Sequence, residues 1–184
     1  PSGSYNSNTG STSSSSCVTC PTGSYSSSPG SSTCTQCSAG SYNANTGSPS
    51  SSSCLTCPVG SYSNAGASTC TQCSAGRYNP NTGSTSASAC VTCPIGSYNS
   101  NNGASACTQC PIGSYNSNTG STSSSSCLTC PVGSYSSSPG SSTCIQCSAG
   151  SYNPNTGSTA ASSCLTCPVG SYNTNAGSSS CTQC

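Results

Sequence analysis

Every cysteine in this chain sits in a C-x-x-C pair, and the pairs recur along the whole sequence. They are Cys17/Cys20, Cys34/Cys37, Cys54/Cys57, Cys70/Cys73, Cys90/Cys93, Cys107/Cys110, Cys127/Cys130, Cys144/Cys147, Cys164/Cys167 and Cys181/Cys184. Five residues after the second Cys of a pair comes a Tyr, as from Cys20 to Tyr25, and two residues before that Tyr is a Gly. The module therefore reads C-x-x-C-[PS]-x-G-S-Y, then a polar turn with a second Gly, then the next Cys. Self-similarity at so short a period means an array in which each module is one small structural element. Residues 1–184 read as one continuous array of ten such modules, expected to be a window of a longer chain.

The spacing alternates. Steps of 16 or 17 residues between first cysteines take turns with steps of 20, so the true period is a long–short doublet of 36 or 37 residues. The second Gly lies four residues before the next Cys in short modules (Gly30 to Cys34) and seven before it in long ones (Gly10 to Cys17). The extra three residues fall in a Ser/Thr/Ala tract. Alternation this strict points to a geometric role rather than to tolerated loop variation.

Composition excludes much chemistry. The chain has one charged residue, Arg77, with no Asp, Glu, Lys or His, and it lacks Phe, Trp and Met. Without carboxylates or imidazoles there is no acid–base pair, no Ser–His–Asp triad and no oxygen cage for calcium. No enzyme activity and no cofactor are expected. One cation cannot neutralise a phosphate backbone, so no nucleic acid is expected as a partner. Apolar runs of two or three residues give no membrane span. A single hydrophobic core is equally out of reach with so few large apolar side chains, and covalent cross-links must replace it.

No 3.6-residue apolar period argues for a helix, and Gly or Pro recurs every few residues. Cys57-Pro58-Val59-Gly60 suits a type I turn with Pro at its second position, and the later Gly marks a tight turn with positive φ. Between turns remain short extended pieces such as Gly-Ser-Tyr and Leu-Thr-Cys. The fold class expected is a small disulfide-rich repeat array, irregular and turn-dominated with short β-strands, an elongated rod in which each module touches only its neighbours.

Closing a C-x-x-C on itself gives a small ring with little long-range order. Joining the second Cys of one pair to the first of the next is more stabilising, at roughly 3 kcal/mol per loop in the chain-entropy model. That scheme pairs Cys20–Cys34, Cys37–Cys54, Cys57–Cys70, Cys73–Cys90, Cys93–Cys107, Cys110–Cys127, Cys130–Cys144, Cys147–Cys164 and Cys167–Cys181, and leaves Cys17 and Cys184 for partners elsewhere. Spacing alone does not decide it. Four-cysteine zinc sites remain the sharpest rival, since Cys17-x-x-Cys20 and Cys34-x-x-Cys37 stand 13 residues apart. Each such site would carry about −2, against one arginine in the whole chain.

C-P-x-G-S-Y followed by G-S-x-x-C-x-x-C resembles the ephrin-receptor-like cysteine-rich repeat, and is similar to the one-disulfide submodule of tumour-necrosis-factor-receptor ectodomains. The resemblance spans the chain. It implies the second-to-first pairing, a Tyr packed beside each bridge and a stack of modules. The near-absence of charge departs from the receptor pattern and weakens a ligand-binding reading.

The Ser/Thr tracts are plain polar loops or O-glycan acceptors. The candidate acceptors are Ser11, Thr12, Ser13, Ser48, Ser50, Ser84, Thr85, Ser86, Ser121, Thr122, Ser123, Ser158 and Thr159. No N-x-[ST] sequon occurs, so N-glycosylation is not expected. The tyrosines read first as packing rings, with a binding stripe or cross-linking sites as the alternative. One Thr per module in C-[VL]-T-C and C-T-Q-C raises ice binding, although no flat T-x-T rank is evident. Together these features predict an extracellular or cell-surface structural protein. It forms the disulfide-linked spine of a fibre or filament, carries O-linked glycans, and self-associates or continues into the same fibre. The alternative is the stalk or ligand-binding ectodomain of a surface receptor or adhesin.

Overall fold

A computed structural model describes all residues, 1–184. Contacts divide the chain into two compact halves. The first comprises Pro1–Ser74, Tyr78–Val91 and Asn102–Ala106, and the second Ala75–Arg77, Thr92–Asn101 and Cys107–Cys184. The same construction runs through both.

Each module is a pair of two-residue antiparallel strands. The first strand is the Ser-Tyr that follows the first Gly (Arg77-Tyr78 in one module), and the second is the two residues between the cysteines. In the first half Ser24 faces Gln36 and Tyr25 faces Thr35, while Ser41 faces Thr56 and Tyr42 faces Leu55. In the second half Ser114 faces Thr129 and Tyr115 faces Leu128. Strands this short are not stable alone. From the second hairpin onward, a disulfide from the second Cys of the preceding pair closes each one, as Cys20–Cys34 closes the hairpin of Ser24–Tyr25 and Thr35–Gln36.

The turn into the first strand differs from the type I turn expected at Cys-Pro-x-Gly. It lies one residue later. The Ser97 N–H donates to the Pro94 carbonyl (3.3 Å), and Gly96, third in that turn, has φ 77°. A left-handed third residue is what a type II turn demands, and only Gly adopts it cheaply. The serine hydroxyl reinforces the turn: Ser97 Oγ donates to the same carbonyl at 2.7 Å.

The three extra residues of each long module are a single 3-10 turn, where the sequence suggested only loop. These turns span Ser14–Ser16, Ser51–Ser53, Ala87–Ala89, Ser124–Ser126 and Ala161–Ser163. A 3-10 turn consumes three residues per revolution. The insertion therefore adds one full turn and delivers the following Cys with the chain direction restored. Ser13 and Ser123 cap their turns, each Oγ accepting from the backbone N–H two residues on at 3.2 Å.

Modules bond to the module next in line and also to the one after it, which corrects the expectation of nearest-neighbour contact alone. In the first half the Gly23 N–H donates to the Asn43 carbonyl of the next module (2.7 Å), and the Gly66 N–H, two modules on, donates to the Cys37 carbonyl (2.8 Å). In the second half Gly133 donates to Asn153 (2.8 Å) and Gly177 to Cys147 (2.8 Å). The second-neighbour contact is backbone on backbone. A Cβ at Gly60 would collide with the Gly103 carbonyl oxygen, and one at Gly96 with that of Gly140.

The buried apolar side chains are cysteines. Cys20, Cys37, Cys57, Cys73, Cys93, Cys110, Cys130 and Cys147 are at most 1 % exposed. The aliphatic side chains are not inside. Leu55 is 54 % exposed, Leu128 51 % and Ile145 53 %. Around the sulfurs lie Gly backbone and small polar side chains, and every buried side-chain polar atom has a hydrogen-bond partner.

Candidate functional site

The feature most often repeated is the sulfur spine. The structure brings together Cys20–Cys34, Cys37–Cys54, Cys57–Cys70 and Cys73–Cys90 in the first half. It joins Cys93–Cys107, Cys110–Cys127, Cys130–Cys144, Cys147–Cys164 and Cys167–Cys181 in the second. Each bridge leaves the second Cys of one module and enters the first Cys of the next, with Cα atoms 5.5 to 5.8 Å apart. These 18 sulfurs are thereby bonded to one another, which leaves them no thiolate to offer zinc. Cys17 and Cys184 are free and exposed.

Beside the spine runs a row of buried asparagines that reasoning from the sequence overlooked. Asn43 Nδ2 donates to the Ser24 carbonyl of the preceding module (3.0 Å) and to Ser48 Oγ (2.7 Å), while its Oδ1 accepts from the Asn45 N–H (3.1 Å). Asn79, Asn116 and Asn153 repeat these three bonds. All four are at most 1 % exposed. The amide thus spends both N–H groups and its carbonyl, and pins one module to the one before. The available signal was Tyr-Asn-x-Asn with a Ser five residues after the first Asn, as in Tyr42-Asn43-Ala44-Asn45 and Ser48.

The asparagines sort the candidate acceptors. Ser48, Ser121 and Ser158 are buried and accept from Asn43, Asn116 and Asn153, and Ser11 and Ser84 make the same bond to Asn6 and Asn79. A sugar on any of the three buried hydroxyls would need the surrounding backbone to open, which makes the exposed hydroxyls of the tract the better placed acceptors. Ser13, Ser50, Ser86 and Ser123 share a hydrogen bond with the serine two residues on, at 2.6 to 2.8 Å. Thr12, Thr85, Thr122 and Thr159 are exposed, with no hydrogen bond on the hydroxyl. They stand in the S-T-S or S-T-A that opens the long tract.

The doublet has its own chemistry. Long modules carry Thr before the second Cys, and short modules carry Gln. The methyl of Thr56 closes the space over Gly83, two modules on, and that of Thr129 closes the space over Gly157. In short modules the side chain of Gln36 lies over Gly66 and that of Gln146 over Gly177. Within each half, long modules therefore stack on long and short on short. Alternating length is the outward sign of two alternating packings.

Strands of two residues, bridges handed from module to module and a core of sulfur and amide define a small disulfide-rich extracellular type of module, stable in oxidising surroundings. The family profile described as tyrosine-protein kinase ephrin type A/B receptor-like matches the chain four times in tandem, over residues 8–54, 50–90, 87–127 and 124–164. The chain belongs to this family. Each match ends on the first Cys of a long module, so the doublet is the family's unit as well. No curated protein matches the chain. No helix is long and apolar enough to cross a membrane.

Proposed function

We propose that this chain is an extracellular structural protein without enzymatic activity, the disulfide-linked spine of a fibre or cell-surface filament that carries O-linked glycans. The observation that supports this most is the second-neighbour contact. Every doublet offers the next one the same Gly backbone, the same Thr or Gln and the same carbonyls that it accepts from the one before. A head-to-tail contact that does not close on itself extends without limit. Near-zero charge removes the repulsion that would keep copies apart. The same lack of charge leaves solvation to hydroxyls and sugars, and the exposed Thr12, Thr85, Thr122 and Thr159 are the acceptors best placed for that role.

Electron microscopy of the native material, joined to mass spectrometry of its peptides, tests the proposal. Expected are filaments whose density repeats with the doublet and peptides with hexose mass on those threonines. A membrane-anchored chain ending in a distinct head domain would instead make this array a receptor or adhesin stalk.

A further inference from the structure

Two clefts, one in each half, are built from equivalent residues three doublets apart. The first holds about 260 Å³ and is lined by Tyr5, Pro21, Ser24, Thr33, Gln36 and Gly66. The second holds about 220 Å³ and is lined by Tyr115, Pro131, Ser134, Thr143, Gln146 and Gly177. In both, a tyrosine of a long module faces the Pro turn and the strand of the following short one.

Three polar groups in each cleft make no hydrogen bond within the chain: the tyrosine phenol, the threonine hydroxyl and the glutamine amide. The amide lies exposed at the cleft, with Gln36 across Gly66 and Gln146 across Gly177, where no Cβ obstructs it. An unbonded amide offers two donors and an acceptor. The tyrosine adds an apolar ring with a polar tip. No charged residue lines either cleft, so an ionic ligand would lose its hydration without compensation. Pockets for drug-sized ligands run from about 300 to 1,000 Å³, so these clefts suit a single ring. A flat ring with apolar C–H faces and a rim of hydroxyls meets all of these conditions.

We propose that each of these two clefts is a subsite for one neutral sugar ring. The sugar could belong to a free neutral polysaccharide or to an O-glycan on another copy of this chain, and the chemistry of recognition is the same. The whole chain, produced without glycans, is titrated with neutral hexose and N-acetylhexosamine oligomers while the side-chain amide signals of Gln36 and Gln146 are followed by NMR. A second arm uses a glycosylated preparation of the same chain as the titrant. Saturable shifts of those two signals in either arm support the proposal, and the arm that gives them identifies the source. The double variant Gln36→Leu/Gln146→Leu should weaken binding about tenfold, the loss expected for one hydrogen bond. Thr33→Val/Thr143→Val should weaken binding also, and its intact disulfide mass shows the fold retained. The proposal is overturned if neither arm moves the glutamine signals at millimolar sugar, if both double variants bind as the parent does, or if acidic oligosaccharides bind more tightly than neutral ones.

Discussion

At the scale of single residues the fold depends on Asn and Gly more than on any hydrophobic side chain. Asn116 donates to the Ser97 carbonyl and to Ser121 Oγ, both at 2.9 Å, and accepts from the Asn118 N–H at 3.0 Å. Truncation would strand buried polar groups at a cost of about 1–3 kcal/mol. Asn116→Ala should therefore speed amide exchange around residues 97 and 118 by roughly 10- to 100-fold. Asn8→Ala, at an exposed position whose side chain makes no bond, should leave exchange unchanged. The glycines divide in the same manner. Gly30 and Gly60 both have positive φ, at 79° and 76°, but a Cβ on Gly30 meets nothing while one on Gly60 meets the Gly103 backbone. Gly30→Ala should cost about 1–2 kcal/mol, the strain of a left-handed residue. Gly60→Ala must also push two modules apart. Thermal denaturation of the two variants should show the larger loss for Gly60→Ala, and equal losses would contradict the second-neighbour contact.

At the scale of elements, a hairpin of two-residue strands has too few ladder bonds to persist without its bridge. The Cys93–Cys107 disulfide closes a loop with a sequence separation of 14, worth roughly 3 kcal/mol. Replacing both cysteines by Ser should open residues 93–107 to proteolysis. Bridges further along the chain should stay intact, because modules bond only one and two places away. Loss of every other bridge's protection in that variant would show the cooperative unit to be larger than the bonding pattern implies. The 3-10 turn is the other defining element. Removing residues 51–53 would turn a long module into a short one and set a Thr-type packing where a Gln-type one belongs.

At the scale of the molecule, the absence of charge becomes a measurable property. Stability changes with pH only where the folded and unfolded chains bind different numbers of protons. With no Asp, Glu or His, this chain has no side chain that titrates between about pH 4 and 7. The melting temperature should therefore be flat across that window and nearly indifferent to salt. Scanning calorimetry at several pH values checks this, and an acid-induced transition would contradict it. A thiol reductant at neutral pH should unfold the chain outright.

The partner of each cysteine is left open by spacing alone and implied by the family resemblance, whereas the module and the doublet can be read directly from the sequence, because they depend on spacing along the chain. The regular positions of Cys, Gly and Tyr suffice for that. What the sequence left hidden depends on residues that meet only after folding. Asn43 reads as one more polar loop residue until Ser24 and Ser48 close around it. Leu55 and Val91 belong to too sparse a set of aliphatic side chains to build a core, and the narrowness of a two-strand module leaves them half in solvent. Thr56 reads as one of a row of threonines, and only the folded chain brings Gly83 beneath it and Gly103 beneath Gln72, each from two modules away. Chain spacing states which sulfurs are near enough to join. Only the stacked backbone determines which glycines touch, since that contact needs two modules correctly oriented at once, and no local stretch of sequence records it.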